Sequence, residues 1–138
     1  MFACRRAVQQ LVGEKEGQSL LFGGTSAGGR GSMVLVDFLQ ELLHPSTVVR
    51  GLHDSGAYQD ILPLDPSYYP FGAQCQDAYT MFSPPLSPGC LAAHASAPHH
   101  CVCGQYLLPL LLTPSMVIIH QVSHANKGQW NIQQSCKE

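Results

Sequence analysis

The chain has few charged residues: Asp, Glu, Lys and Arg make up 12% of its 138 residues, about half of the roughly 25% usual in soluble domains. Its seven Lys and Arg form no basic block, although a protein that binds nucleic acid needs such a surface to neutralise phosphates. The sequence therefore argues against a nucleic-acid-binding protein. A hydrophobic content of 45% also excludes a highly charged disordered chain, because such a chain has too little apolar surface to form a core.

The sequence also lacks a long uninterrupted apolar run. Its most apolar stretch, residues 106–119, is broken by Pro109 and Pro114 and is shorter than the ~20 residues that a membrane-spanning helix needs. The first six residues carry charge with no apolar segment behind them, so no secretory signal peptide is predicted at this start. We expect one domain over residues 1–138, since this length suits a single domain of ordinary size.

Short apolar runs alternate with helix-type spacing along the chain. The run at 19–22 is typical of a strand buried on both faces of a parallel sheet, and apolar residues spaced three and four apart predict helices. Helix, strand, helix, strand in this order is the pattern of a right-handed βαβ unit, so the predicted fold is α/β, with a partial, mostly parallel sheet and flanking helices. The predicted elements are helix 2–16, strand 19–22, helix 33–43, strand 47–50, helix 71–82, short helix 106–112, strand 115–119 and helix 125–134.

A G-x-S-x-G motif lies between the first predicted strand and the next helix, with Ser26 flanked by Gly24 and Gly28. A nucleophilic serine is held on such a turn with its hydroxyl exposed above the carboxyl end of the sheet. The two glycines would remove side chains that collide there, and the Ala27 N–H would face a developing oxyanion. Two other interpretations stay open: a glycine-rich turn that only packs helix on sheet, and phosphate binding at the helix end, which the missing P-loop lysine disfavours.

The motif and its neighbours resemble the pectin acetylesterase/Notum family of serine carboxylesterases. The resemblance rests on residues 24–29 (GTSAGG), on 49–56 (VRGLHDSG) with Asp60 just beyond, and on 101–104 (CVCG). It implies an α/β-hydrolase-like fold and hydrolysis of a carboxylic ester by a Ser26 nucleophile through an acyl-enzyme, with no cofactor and no metal. It also implies that the Ala27 N–H supplies half of the oxyanion hole.

The resemblance carries further expectations about substrate, location and single residues. It implies an acylated polysaccharide or an acylated protein as substrate, and an extracellular protein. Tyr58 follows the DSG motif, where the family often carries an aromatic residue near the acyl pocket, so Tyr58 is a substrate-pocket candidate. Cys90 and Cys101 match a pair that forms a disulfide in secreted members of the family.

The rest of the family's catalytic triad is not matched. Ser123 stands where the family has its acid, and the family's histidine and its upstream oxyanion loop fall outside residues 1–138, so the chain is expected to be incomplete. One hypothesis is a substitute triad of Ser26, Asp54 and His124, because Asp54 ends the strand after the nucleophile strand and His124 follows the next strand. The alternative is a catalytically inactive fragment or binding remnant of the same fold, in which Asp54 caps a turn and His124 is solvated.

Cysteine and histidine concentrate between residues 90 and 103, and the residues alone leave the state of these cysteines open. Thiolate and imidazole ligands suit zinc, but the H-H-C-x-C spacing fits no common zinc site. Isolated buried thiols, structural disulfides and a zinc-stabilised interaction module are the possibilities, and we favour a thiol or a disulfide over a metal. The residues concerned are Cys90, His94, His99, His100, Cys101 and Cys103.

Overall fold

A computed structural model of the protein describes residues 18–63 and 65–119. The predicted helices 2–16 and 125–134, and His124, lie outside these residues. The described part contains a three-stranded parallel sheet in the order β1-β2-β3 with helices beside it, so the α/β prediction with a parallel sheet is confirmed. None of the helices in these two ranges is long and apolar enough to cross a membrane. The elements are β1 Ser19–Thr25, α1 Ala27–Leu35, β2 Val48–Asp54, α2 Phe71–Phe82, α3 Pro88–Ala93, α4 Gly104–Leu107 and β3 Ser115–Ile118, with 3₁₀ turns at Val36–Phe38, Gln40–Leu42, Pro98–Val102 and Leu108–Leu110.

The register of the sheet brings the carboxyl ends of all three strands to one edge. Thr25, the last residue of β1, lies opposite Asp54, the last residue of β2, and Asp54 lies opposite Ile118 at the end of β3. Both β1 and β2 run further than predicted, because the glycine pair Gly23 and Gly24 continues the ladder with β2 despite the low strand propensity of glycine. Residues that follow these three strands therefore meet at one edge of the sheet.

Helix α1 begins at Ala27 and ends at Leu35, whereas the sequence predicted a helix over 33–43. The glycines at 28, 29 and 31 each lower helix propensity by about 1 kcal/mol relative to alanine, which made the first two turns resemble a loop. Packing overrides that preference, because Gly29 lets α1 approach the backbone of β2 closely. Beyond Leu35 the chain continues as two 3₁₀ turns rather than as an α-helix.

One face of the sheet is covered by α1 and the 3₁₀ turns that follow it. Val36 has no exposed surface, and Leu39 and Val49 are nearly as deeply buried in the same cluster. The opposite face carries exposed apolar side chains, since Leu21 is 65% exposed and Met116 is 64% exposed. Among residues 18–63 and 65–119, α1 and its 3₁₀ turns pack against one face of β1, so the prediction that this strand is buried on both faces is wrong for the described part of the chain.

The segment between β2 and β3 packs against Met33 of α1 and is held together by two disulfides. Cys75 of α2 is bonded to Cys103, and Cys90 of α3 is bonded to Cys101. All four side chains are fully buried. The interpretation as isolated buried thiols is therefore wrong for these four cysteines. The helix predicted over 71–82 is confirmed by α2.

Asp37 anchors the chain just before β3. Its carboxylate accepts hydrogen bonds from the backbone N–H groups of Leu112 at 3.1 Å and Thr113 at 2.8 Å. Hydrogen bonds to an ionised acceptor are roughly twice as strong as neutral ones. The contact therefore ties the end of the helical layer beside β1 to the entry of β3, across 75 residues of sequence.

Candidate active site

Ser26 occupies a sharp turn between β1 and α1. Its backbone has φ 56° and ψ −122°, a conformation that residues with a side chain rarely adopt and that costs about 1–3 kcal/mol. The side chain is exposed at the carboxyl edge of the sheet, directly before the first residue of α1. An exposed serine on a strained strand-to-helix turn has the geometry of a nucleophile elbow.

Two glycines at the elbow are required by space, but they are not the two that the motif suggests. A Cβ on Gly24 would lie 2.6 Å from the carbonyl carbon of Gly28, and a Cβ on Gly29 would lie 2.7 Å from the Asp54 carbonyl oxygen. A Cβ on Gly28 itself would meet nothing within 4 Å. The expectation that Gly24 and Gly28 both prevent a collision is correct for Gly24 and wrong for Gly28, because Gly29 is the helix residue that faces the strands.

The backbone groups of Ser26 are engaged on both sides of the turn. The Ser26 N–H donates to the Asp54 carbonyl oxygen at 2.9 Å, and the Arg30 N–H donates to the Ser26 carbonyl oxygen at 3.1 Å. The Ala27 N–H is one of the first-turn donors that a helix leaves unsatisfied, and it donates to no group among the described residues. Ala27 therefore offers a donor next to the Ser26 hydroxyl, at the positive end of the helix dipole.

Tyr58 contacts the Ser26 side chain directly. The Tyr58 hydroxyl oxygen lies 2.9 Å from Ser26 Oγ. The Tyr58 ring packs on the Phe71 ring, with centroids 5.1 Å apart, and the Arg30 guanidinium carbon lies 5.6 Å from the centroid of Phe71. Tyr58, the substrate-pocket candidate, thus lies within hydrogen-bond distance of the candidate nucleophile. This contact could not be predicted from the sequence, because the two residues are 32 positions apart.

Asp54 lies beside the elbow as the last residue of β2. Its carboxylate accepts hydrogen bonds from Thr25 Oγ1 at 2.7 Å and from Ser55 Oγ at 2.9 Å. The two hydroxyls fix the orientation of the carboxylate at the edge of the sheet where Ser26 lies. The third member of the hypothetical triad, His124, lies outside the described residues.

An apolar groove of about 780 Å³ lies along α1, with Ala27 in its lining. Its lining on the α1 side recurs every three or four residues, as expected of one face of a helix. Sequence reasoning did not identify this groove, although the same spacing was the available signal. Residues of its lining include Ala27, Arg30, Val34, Phe38, Leu42 and Phe82.

His53, inside the VRGLHDSG segment, is a buried residue that is hydrogen-bonded on both sides of its ring. Its side chain has no exposed surface. Its Nδ1 lies 2.7 Å from Ser32 Oγ on α1, and its Nε2 lies 3.2 Å from Ser115 Oγ on β3. Burial lowers the pKa of His53, and the nearby Asp37 opposes this effect more weakly. The histidine therefore links α1, β2 and β3 beneath the elbow.

The cysteine and histidine segment forms disulfides and an aromatic stack. Cys90, Cys101 and Cys103 are all disulfide-bonded, so they present no thiolate, and the zinc-module interpretation loses its sulfur ligands. The His100 ring stacks on Tyr106 with centroids 3.9 Å apart. Burial and the neighbouring histidines lower the pKa of His100. Within residues 18–63 and 65–119, no three His, Cys, Asp or Glu side chains are placed to hold one metal ion.

Comparison with known proteins agrees with the fold. A family model described as pectinacetylesterase matches residues 4–137. The chain belongs to the pectinacetylesterase family.

Relatives of this pectinacetylesterase-family chain include the palmitoleoyl-protein carboxylesterase Notum of Drosophila melanogaster, which is 28% identical over 121 residues. That match covers 82% of this chain and 18% of the relative. Two crystal forms of the Wnt deacylase Notum from Drosophila superpose with a TM-score of 0.78 at 27% identity, covering 91% of this chain and 38% and 39% of those chains. The fold is therefore α/β-hydrolase-like, and this chain spans much less than half of the relatives that it matches.

Proposed function

We propose that the protein is a carboxylic ester hydrolase in which Ser26 is the nucleophile. The observation that carries this proposal is the backbone of Ser26, with φ 56° and ψ −122° on an exposed turn between β1 and α1. Such a turn costs free energy and persists only where the surrounding structure enforces it. Membership of the pectinacetylesterase family supports the same reaction class.

The proposed reaction passes through an acyl-enzyme. Ser26 Oγ forms a bond to the carbonyl carbon of the ester, its proton passes to a base, and the carbonyl π electrons move to the oxygen, which the Ala27 N–H stabilises. The carbonyl then re-forms as the ester C–O bond breaks, and the alcohol leaves with the proton from the base. Water attacks the acyl-enzyme in the same way and releases the carboxylic acid, which regenerates the serine.

The base in this proposal is His124, and the acid that orients it is Asp54. The position of the Asp54 carboxylate supports its role, because Thr25 and Ser55 hold it at the same sheet edge as Ser26. His124 follows β3, the strand next to β2 in the sheet. A serine without such a base is a weak nucleophile, so the proposal requires His124→Ala to abolish turnover.

The substrate that we propose is an ester of an apolar acyl group, carried by a protein or a polysaccharide. The groove along α1 supports this choice, since its lining is mainly apolar and includes Ala27, the residue that follows Ser26. The Drosophila relative is a palmitoleoyl-protein carboxylesterase, which supports an acylated protein as the carrier. Pectinacetylesterase as the name of the family supports an acetylated polysaccharide instead.

A fluorophosphonate probe tests the proposal, because it labels only an activated serine. We expect the full chain to be labelled once, and Ser26→Ala and His124→Ala to remain unlabelled. Turnover of p-nitrophenyl acetate, butyrate and octanoate then ranks the acyl chain lengths. Labelling that persists in Ser26→Ala would show that another residue is the nucleophile.

A second candidate function is a non-catalytic acyl-binding domain of the same fold. One observation favours it: among the described residues, the side chain that contacts Ser26 Oγ is Tyr58 and not an imidazole. In this case the groove would bind a fatty acid while the fluorophosphonate left Ser26 unmodified. A titration with a fluorescent fatty acid, followed by the fluorescence of the fatty acid itself and run beside the labelling experiment, separates the two functions.

A further inference from the structure

Besides the backbone N–H groups, the elbow has a side-chain hydrogen-bond donor close to Ser26, the hydroxyl of Tyr58. Stabilisation of a tetrahedral intermediate is strongest when several fixed donors point at the oxyanion. The Ala27 N–H is one such donor. The N–H of the nucleophile itself, which serves as a donor in the chymotrypsin arrangement, is not free here, because it donates to the Asp54 carbonyl oxygen at 2.9 Å.

We propose that the Tyr58 hydroxyl is a catalytic residue of this site and donates the second hydrogen bond to the oxyanion. This inference rests on the proposed function, because it requires attack by Ser26. The Tyr58 hydroxyl oxygen lies 2.9 Å from Ser26 Oγ. After attack, the oxyanion and Oγ are bonded to the same carbon, so a donor that touches Oγ needs only a small shift to reach the oxyanion.

The position of the hydroxyl is fixed by the packing of its ring. The ring of Tyr58 lies against Phe71, which is 6% exposed and begins α2. The Tyr58 N–H donates to the Gly56 carbonyl oxygen at 3.0 Å, which closes a tight turn directly after β2. A donor held in place before the reaction begins costs no reorganisation when charge develops.

Positive charge lies on the α1 side of the elbow. The guanidinium of Arg30 lies over the same Phe71 ring, 5.6 Å from its centroid, and Arg30 is one turn along α1 from Ser26. The amino-terminal end of α1 contributes a further positive partial charge. The Tyr58 ring and the Arg30 guanidinium therefore both pack on Phe71, beside the positive end of α1.

Tyr58→Phe tests the role of the hydroxyl, since it removes one oxygen and keeps the ring that packs on Phe71. Removing one oxyanion donor lowers kcat by about 10²–10³ in known cases, and we expect a loss of at least tenfold with KM changed by less than twofold. The second-order rate of fluorophosphonate labelling should fall by a similar factor, because the phosphoryl oxygen of the adduct occupies the oxyanion position.

Tyr106→Phe is the matched control. Tyr106 belongs to the same cluster as Phe71, but its hydroxyl donates to the Asp60 carboxylate at 3.0 Å rather than to Ser26. We expect it to leave kcat and the labelling rate within twofold of the wild type. Equal losses in Tyr58→Phe and Tyr106→Phe would overturn the assignment, because they would indicate a general packing effect.

The outcomes separate this inference from the proposed function. Labelling of the wild type that requires Ser26 but is equally fast in Tyr58→Phe overturns the inference alone. A faster reaction in Tyr58→Phe also overturns it, because the hydroxyl would then only restrain the serine before attack. A wild-type chain that is never labelled overturns both proposals. Slower labelling in Tyr58→Phe alone supports both.

Discussion

A pair of alanine substitutions one residue apart tests the packing of the nucleophile elbow. Gly28 and Gly29 both lie in the first turn of α1, and neither has a backbone φ in the left-handed region. Alanine is therefore compatible with the backbone at both positions. The two sites differ in what a Cβ would meet: nothing within 4 Å at Gly28, and the backbone of both neighbouring strands at Gly29.

The expected magnitude follows from these distances. A Cβ on Gly29 would lie 2.7 Å from the Asp54 carbonyl oxygen and 2.9 Å from that of Gly24, where ordinary contact begins near 3.4 Å. Overpacking of this kind costs about 1–3 kcal/mol, and helix propensity returns up to ~1 kcal/mol. Both close contacts are with backbone atoms, which cannot rotate away, so we expect a cost in the upper half of that range. Gly29→Ala should then lower the free energy of unfolding by about 1–2 kcal/mol net and the Tm by roughly 3–7 °C.

Gly28→Ala should instead leave the protein unchanged or stabilise it by up to ~1 kcal/mol, because only the propensity gain applies. Thermal unfolding followed by far-UV circular dichroism without reductant, together with urea unfolding at constant m-value, measures both variants. The labelling rate of Ser26 should fall in Gly29→Ala and stay constant in Gly28→Ala. A Gly28→Ala variant that is as unstable as Gly29→Ala would refute the close approach of α1 at Gly29.

Two further predictions concern the buried histidine and the disulfides. Burial lowers the pKa of His53 below the ordinary histidine value of 6.5. The contribution of His53 to stability should therefore be complete above pH 6.5 and decline as the pH falls from 6.5 towards the lower folded-state pKa. Urea unfolding between pH 8 and 5 should show a smaller loss in His53→Gln, and an equal loss would contradict this. Chain entropy predicts that removing Cys75–Cys103 costs about 3.6 kcal/mol and removing Cys90–Cys101 about 2.8 kcal/mol, for spans of 28 and 11 residues. Paired alanine variants measure this order, and a reversal by more than ~1 kcal/mol would count against it.

The strands and α2 could be predicted because local signals agree with the tertiary structure there. A short apolar run precedes the glycines of the elbow, and a proline directly precedes both β3 and α2. The start of α1 could not be predicted in this way, because residues 28, 29 and 31 are glycines whose low helix propensity is offset by packing on β1 and β2. Local patterns describe what a segment prefers, whereas this helix depends on what it packs against.

In the candidate site, too, the features with a local sequence pattern could be predicted and those that depend on distant residues could not. Ser26 was recognisable because a nucleophile elbow has a local pattern of glycines around the serine. The contact between Tyr58 and Ser26, and the pairing of Cys75 with Cys103, join residues 32 and 28 positions apart and have no local pattern. The choice of Gly29 rather than Gly28 as the closely packed glycine also depends on the direction in which α1 leaves the turn.

The elbow is held in place by hydrogen bonds that cross the edge of the sheet. The residue after β1 donates to the last residue of β2, as Ser26 N–H to the Asp54 carbonyl oxygen at 2.9 Å. The residue after β2 repeats the pattern, as Ser55 N–H donates to the Ile118 carbonyl oxygen at 2.8 Å. Both serines have positive φ, 56° and 53°. A relaxed turn at either serine would forfeit a hydrogen bond to the neighbouring strand, so the register of the parallel sheet maintains the conformation that exposes the Ser26 hydroxyl. The reactivity that we propose for Ser26 therefore depends on β3 as well as on β1. The sequence of β3 gives no sign of this dependence.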